Sequence, residues 1–229
     1  MNLLSATSIF SFYTLISRVL GYLRDILIAT FLGASIYADA FFVAFRLPST
    51  FRRLFAEGVF NAAFIPSYTS EVSTSKEKGK KFADDVLNLL IIILLALVFL
   101  VEIFTPAIIY LIAPGFYDDV EKFDLAVQLA RITFPFLFFV SLSSFFSGIL
   151  NSNNRFAAAA AAPIILNIFL ILSLFISYFF NLSYELNLSY AVTIAGLFQL
   201  IFLIFFAKFY YKPSINFKIK ISLKLNFFL

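Results

Sequence analysis

Long apolar runs separated by short polar connections dominate the pattern of this chain. A helix needs about 20 mostly apolar residues to cross a bilayer. Six runs reach that length, at roughly residues 3–32, 38–68, 82–113, 125–150, 156–180 and 188–211. They are continuous rather than alternating, which favours helices over the strands of a membrane barrel. The pattern predicts an all-α integral membrane protein, with a six-helix lobe over residues 1–212 and a basic cytoplasmic linker or tail over 213–229.

Basic residues beside the ends of the runs predict the orientation. The connection between the second and third runs, "TSKEKGKK", has four lysines, and the chain from Lys208 onward has five. The connection between the fourth and fifth runs has Arg155. The opposite connections are uncharged ("GASIYA") or mainly acidic ("PGFYDDVEKFD"). Both termini are therefore predicted to be cytoplasmic.

Composition agrees with membrane insertion. The chain is 62% hydrophobic and 13% charged, with a mean hydropathy of +0.98, whereas soluble domains are about half apolar and a quarter charged. It has no cysteine and no histidine. Disulfides, zinc sites with the usual ligands and imidazole bases are thereby removed. We expect no cofactor and no metal site, and an enzyme is disfavoured, although carboxylate chemistry stays open.

Charged side chains in the first two runs do not fit a purely apolar span. Five are basic and three acidic: Arg18, Arg24, Asp25, Asp39, Arg46, Arg52, Arg53 and Glu57. A charge at the bilayer centre costs from about 3 to about 15 kcal/mol, depending on the scale. Three acids cannot neutralise five arginines, so the surplus requires water or an anion.

The spacing of these charges allows two interpretations. Asp39, Arg46 and Arg53 recur every seven residues and form a polar stripe on a helix. Arg53 and Glu57, one turn apart, are equally consistent with a structural ion pair, and Asp39 is consistent with an interfacial position. We prefer a wet, cationic cavity between the first two spans.

Arginine suits an anionic ligand because its planar fork binds phosphate oxygens with paired hydrogen bonds and stays protonated. A substrate with a phosphate or pyrophosphate is the natural counterpart, and no nucleic-acid partner is expected. In the later spans, Asn167 and Gln199 are interpreted as interhelical hydrogen bonders rather than ligands. Gly21 is interpreted as permitting a bend or a close helix contact.

Several stretches resemble one family. "SRVLGYLRD" and "ADAFFVAFRLPSTFRRLFAEGVFNAAFIP" resemble the opening of the MurJ/MviN family of lipid II flippases, and "FRRLFAEG" on a second membrane helix is its most specific element. "APGF" and "FPFLFFVSLSSFFSGILNSNNRFAAAAAAP" are also similar to that family. The resemblance covers nearly the whole chain.

The resemblance implies one lobe of a two-lobed transporter of the multidrug/oligosaccharidyl-lipid/polysaccharide exporter superfamily. It implies alternating access that moves lipid II, an undecaprenyl-pyrophosphate-linked peptidoglycan precursor, from the inner to the outer leaflet of the bacterial cytoplasmic membrane. The implied partners are lipid II, membrane lipids and a second lobe, because six spans correspond to the N-terminal lobe. The implied substrate-binding residues are Arg18, Arg24, Asp25, Asp39, Arg52, Arg53 and Glu57.

Other functions remain open at this point. They are a flippase for another polyprenyl-pyrophosphate glycan, a drug exporter of the same superfamily, a non-transporting lobe with a scaffold role, and a membrane enzyme acting on a lipid phosphate. A drug exporter would more readily carry acids that face cationic drugs. The positive surplus argues against it.

The topology can be tested by cysteine labelling, since the chain has no cysteine of its own. Cysteines introduced at Tyr117 and Asn187 should react with an impermeant thiol reagent added outside, whereas a cysteine at Ser75 should react only after the membrane is opened. Labelling of Ser75→Cys from outside would reverse the orientation.

Overall fold

The computed structural model describes residues 3–55 and 59–214, with side chains for residues 8–52 and 60–214. Within these ranges the chain forms eight α-helices and one 3₁₀ turn, Pro114–Phe116. The helices are α1 (Leu3–Leu32), α2 (Ile36–Phe55), α3 (Val59–Thr74), α4 (Lys76–Ile112), α5 (Val120–Thr133), α6 (Phe136–Ser152), α7 (Phe156–Phe180) and α8 (Tyr184–Ala207).

The all-α membrane prediction is confirmed in its coarse form. Four stretches of the described residues are long and apolar enough to cross a membrane: Lys76–Ile112, Val120–Ser152, Phe156–Phe180 and Tyr184–Ala207. The chain is thus a multi-pass helical membrane protein. The count of six spans stays a prediction.

One predicted span is made of two helices. The predicted span 125–150 is divided between α5 and α6 at Phe134 and Pro135, where proline has no N–H to continue the ladder of helical hydrogen bonds. The predicted span 38–68 overlaps α2 and α3, and the residues between these helices, 56–58, lie outside the described residues.

Proline inside α2 has a different outcome. Pro48 lies within the continuous helix and cannot donate a hydrogen bond to the carbonyl of Ala44, one turn earlier. The Thr133 hydroxyl of α5 donates to that carbonyl oxygen at 3.2 Å. A side chain from a neighbouring helix thus satisfies the acceptor that proline frees, and it links α2 to α5.

The lysine-rich connection predicted before the third span is helical. Ser75 is the N-cap of α4, and its side chain accepts a hydrogen bond from the Lys78 N–H. Glu77 lies in the first turn, where its negative charge is stabilised by the positive end of the helix dipole. The predicted loop is therefore wrong, since the serine cap begins the helix nearly two turns ahead of the apolar run.

Packing places α6 and α8 at the centre of the bundle. Helix α8 contacts α6 and α7 most extensively, α1 packs mainly on α7, and α2 packs mainly on α5. At Gly196 of α8, an added Cβ would lie only 2.6 Å from the Phe136 ring of α6, so glycine permits this close approach. Because α1 and α2 have different main partners, they share few contacts.

The residues after α8 are attached to the start of α4. The Tyr211 hydroxyl donates to Asp84 Oδ1 at 2.6 Å, and the Ser214 N–H donates to the same oxygen at 2.9 Å. Lys80 Nζ donates to the Ser214 hydroxyl at 2.9 Å. Burial and the hydrogen bond to Asp84 raise the pKa of Tyr211 above its usual value. The phenol therefore stays a neutral donor, and the link fixes the chain as far as Ser214.

Candidate functional site

Arg24 of α1 is held in place by two neighbours. Its Nε and Nη2 atoms donate to Asp25 Oδ1 at 3.0 and 2.7 Å, and its Nη1 donates to Asn167 Oδ1 of α7 at 2.9 Å. The Arg24 side chain is only 19% exposed, whereas Asp25 is 59% exposed. A guanidinium carries five N–H donors, so these three bonds orient the group and leave donors over for a ligand.

Asn167 connects α7 to α1 at two points. Its Nδ2 donates to the backbone carbonyl of Ser17 at 3.0 Å, in addition to the bond that its Oδ1 accepts from Arg24. An added Cβ at Gly21 would lie 3.7 Å from Asn167 Nδ2, an ordinary van der Waals contact. The prediction that Asn167 bonds between helices is confirmed, whereas the contact at Gly21 does not require a glycine.

Asp39 lies apart from the arginines. Lys122 Nζ of α5 donates to Asp39 Oδ2 at 2.6 Å, and the lysine also lies 4.3 Å from the Phe116 ring centroid. The structure does not bring Asp39 into contact with a described arginine. Its carboxylate is matched by Lys122 and does not offset the surplus of basic charge in α1 and α2.

The remaining charges are distributed unevenly. Arg18 and Arg46 are exposed, and no acid of the described part forms an ion pair with either. The side chains of Arg53 and Glu57 lie outside the described residues. Asp25 and Glu57 are thus the acids left in this segment for five arginines, so the charge imbalance is larger than the sequence alone indicated.

Arg52 lines a small cavity between α2, α6, α7 and α8. The cavity has a volume of about 100 Å³. Its polar lining consists of Arg52, Ser143, Ser144, Ser147 and Gln199, and the other lining residues are Val140, Ala159, Ala162, Pro163 and Leu203. The cavity is partly open, and its size gives room for a few water molecules or a small polar group.

Gln199 was interpreted from the sequence as a hydrogen bonder between helices, and this is wrong. Its side chain is only 4% exposed and lines the Arg52 cavity, yet it forms no hydrogen bond within the described part of the chain. In the sequence, Gln199 and Asn167 look alike, since each is an amide within an apolar run. Only the distances between helices show that Asn167 bonds to another helix and that Gln199 lines a cavity.

A second, larger cavity of about 390 Å³ lies between α1, α7 and α8. It is lined mainly by apolar and aromatic side chains, including Ile9, Phe156 and Phe202, with Arg155 at its edge. This lining offers little to hold an anion. Among the described residues, no group of three or more potential ligands is suited to a metal ion.

The contact between Arg24 and Asn167 gives a testable coupling. We expect a double-mutant cycle of Arg24→Ala and Asn167→Ala to show about 0.5–3 kcal/mol of coupling in unfolding, because the two side chains are bonded. The same cycle with Arg18→Ala in place of Arg24→Ala should show about none. Thermal unfolding of purified protein in detergent measures both. Equal coupling in the two cycles would mean that the bond contributes nothing specific.

Comparison with known sequences identifies relatives. A family model described as "Lipid II flippase MurJ" matches residues 28–225. The chain is 40% identical to the probable lipid II flippase MurJ of Rickettsia prowazekii (strain Madrid E) over 219 residues, covering 96% of this chain and 42% of that relative. It is 45% identical to that of Buchnera aphidicola subsp. Acyrthosiphon pisum (strain APS) over 203 residues, covering 88% of this chain and 40% of that relative.

Solved structures agree. The chain is similar to a structure of "Lipid II flippase MurJ, inward closed conformation", with a TM-score of 0.77, 33% identity, and coverage of 91% of this chain and 43% of that one. A MOP superfamily transporter from Pyrococcus furiosus, described as having a binding pocket of reverse polarity, has a TM-score of 0.66 at 16% identity, and the match covers 96% of this chain and 49% of that one. That second likeness concerns the fold alone.

The chain spans less than half the length of the relatives it matches. The family is one of transporters, not of enzymes. On the family match and the identity to these relatives, the chain belongs to the MurJ family of lipid II flippases.

Proposed function

We propose that this chain forms the cationic lobe of a carrier that moves lipid II from the inner to the outer leaflet of the bacterial cytoplasmic membrane. The observation that supports this proposal most strongly is the charge imbalance of α1 and α2. Asp39 is matched by Lys122, which leaves Asp25 and Glu57 for five arginines. A pyrophosphate headgroup supplies the missing negative charge.

Among the described arginines of α1 and α2, Arg24 has a guanidinium group that is already oriented before a ligand binds. Asp25 and Asn167 hold its guanidinium through three hydrogen bonds and leave further N–H donors available. A group oriented before binding loses less conformational entropy when a ligand arrives. We assign pyrophosphate recognition to Arg18, Arg24 and Arg52, with Asp25 positioning Arg24. Arg53, Asp39 and Glu57 are proposed to complete the charged lining or to act as gate residues.

The carrier is proposed to have two lobes of six spans each, and this chain supplies one of them. An even number of spans returns the chain to its starting side, so a following lobe enters in the same direction and the two are parallel repeats about the membrane normal. Side chains that face the space between lobes are exposed on an isolated lobe. The exposure of Arg18 and Asp25 supports a position facing that space.

Alternating access follows from the charge balance. Without an anion, the arginines repel one another and favour a state in which water reaches them. With the headgroup bound, that repulsion is reduced and the two lobes approach. The ligand then shifts the equilibrium by its different affinity for the two states. The proposed topology, with both termini cytoplasmic, makes the inner leaflet the loading side.

The function is tested by conservative replacement of the arginines. Arg24→Lys and Arg52→Lys keep the charge but lose the paired hydrogen bonds, and each should slow lipid II flipping about tenfold or more, as expected for a lost hydrogen bond to a charged group. Arg131→Lys, at an exposed position of α5, is the matched control and should flip normally.

The measurement is exposure of lipid II on the outer leaflet in cells depleted of their own flippase and expressing the protein as its gene encodes it. Membrane insertion of every variant is checked by immunoblot. Flipping at the parent rate by Arg24→Ala and Arg52→Ala would make these charges structural and the proposal wrong.

A further inference from the structure

The cavity beside Arg52 contains more hydrogen-bonding capacity than the packing of the helices uses. Ser147 follows Ser144 by three residues and Ser143 by four, so it is a neighbour of both on the surface of α6, and all three line the cavity. The Ser143 hydroxyl donates to the Phe139 carbonyl at 2.9 Å. Neither Ser144 nor Ser147 forms a side-chain hydrogen bond among the described residues. Their hydroxyls are available to a ligand.

Gln199 is the least expected member of this lining. A primary amide has two donor hydrogens and one acceptor oxygen, and the Gln199 amide borders the cavity rather than a polar partner on another helix. Its side chain is 4% exposed and has no hydrogen bond in the described part of the chain. A polar group that packing does not satisfy is satisfied by what enters the cavity, which is water or a ligand.

Pro163 contributes an acceptor to the same cavity. It lies inside α7 and lacks the N–H that would pair with the carbonyl of Ala159, one turn earlier. Ala159 and Pro163 both line the cavity. In α2 the carbonyl freed by Pro48 accepts from the Thr133 hydroxyl, but no side chain of the described residues donates to the Ala159 carbonyl. This acceptor too is available to a ligand.

We infer that the cavity bounded by Arg52, Gln199 and the serines of α6 is a subsite for one polar substituent of the sugar attached to the pyrophosphate of the substrate. This inference rests on the proposed function and deepens it. Arg52 binds the phosphate next to the sugar. The Gln199 amide and the Ala159 carbonyl bind groups of the sugar that both donate and accept hydrogen bonds.

The mixture of donors and acceptors selects a sugar over a bare phosphate. A phosphate at neutral pH accepts hydrogen bonds and matches Arg52 and the serine hydroxyls. It offers nothing to the Gln199 side-chain oxygen or to the Ala159 carbonyl, both of which need a donor. Sugar hydroxyls donate and accept, so a phosphate-linked sugar pairs with the whole lining. Gln199 is then a specificity-determining residue, distinct from the arginines that bind charge.

The experiment compares two ligands on the purified protein in detergent: lipid II, and undecaprenyl pyrophosphate, which keeps the lipid tail and the pyrophosphate but has no sugar. Gln199→Met replaces the amide with an apolar side chain of similar length. Gln128→Met, at an exposed position of α5, is the matched control. Arg52→Ala tests the proposed function itself.

We expect Gln199→Met to bind lipid II about tenfold more weakly, as lost hydrogen bonds to a neutral ligand predict. It should bind undecaprenyl pyrophosphate within about twofold of the parent. Without ligand its melting temperature should stay equal or rise, because no hydrogen bond within the protein is lost. Gln128→Met should match the parent in both affinities and in melting temperature, and Arg52→Ala should weaken the binding of both ligands.

The failures are distinguishable. If Gln199→Met binds lipid II normally while Arg52→Ala weakens both ligands, the sugar subsite is wrong and the proposed function stands. If Gln199→Met melts at a lower temperature and weakens both ligands equally, Gln199 is structural and the inference is overturned. If Arg52→Ala leaves both affinities unchanged, the proposed function fails as well.

Discussion

A guanidinium charge within an apolar bundle must be compensated, and most of the polar contacts described here follow from this constraint. Arg24 is matched by Asp25 on its own helix and by Asn167 on α7. That second contact is also the polar link by which α1 is fixed to the bundle. Asp39 of α2 forms an ion pair with Lys122, and this pair links α2 to α5. The two helices richest in charge are thus held by different partners, and the arginines exceed the acids left to balance them.

Proline adds a second polar element to the bundle. Each proline within a helix frees a carbonyl one turn earlier, and in an apolar environment that carbonyl requires a donor. At Pro48 the donor is Thr133, and the result is a contact between helices. At Pro163 the freed carbonyl borders the cavity that also contains Arg52 and Gln199. The same chemistry thus gives a link between helices at Pro48 and a carbonyl beside a cavity at Pro163.

The sequence predicted the all-helical membrane class correctly, because hydropathy is a property of single positions. It also placed Asn167 at a helix contact correctly. It failed where the outcome depends on neighbours distant in sequence. Lys122, the partner of Asp39, lies 83 residues further along the chain, and nothing local marks it. Gln199 resembles Asn167 in its sequence context, but only the spacing between α6, α7 and α8 leaves it facing a cavity.

The account is tested most directly by asking whether the surplus charge is balanced by a lipid-linked anion. The measurement is the thermal stability of the purified protein, as its gene encodes it, in the presence of undecaprenyl pyrophosphate or of undecaprenol, which has the same tail and no charge. A ligand that binds the folded state raises the melting temperature by mass action. We predict a rise with the pyrophosphate that shrinks as salt screens the charges, and none with the alcohol. Equal rises with both lipids, or no rise with either, would contradict the account.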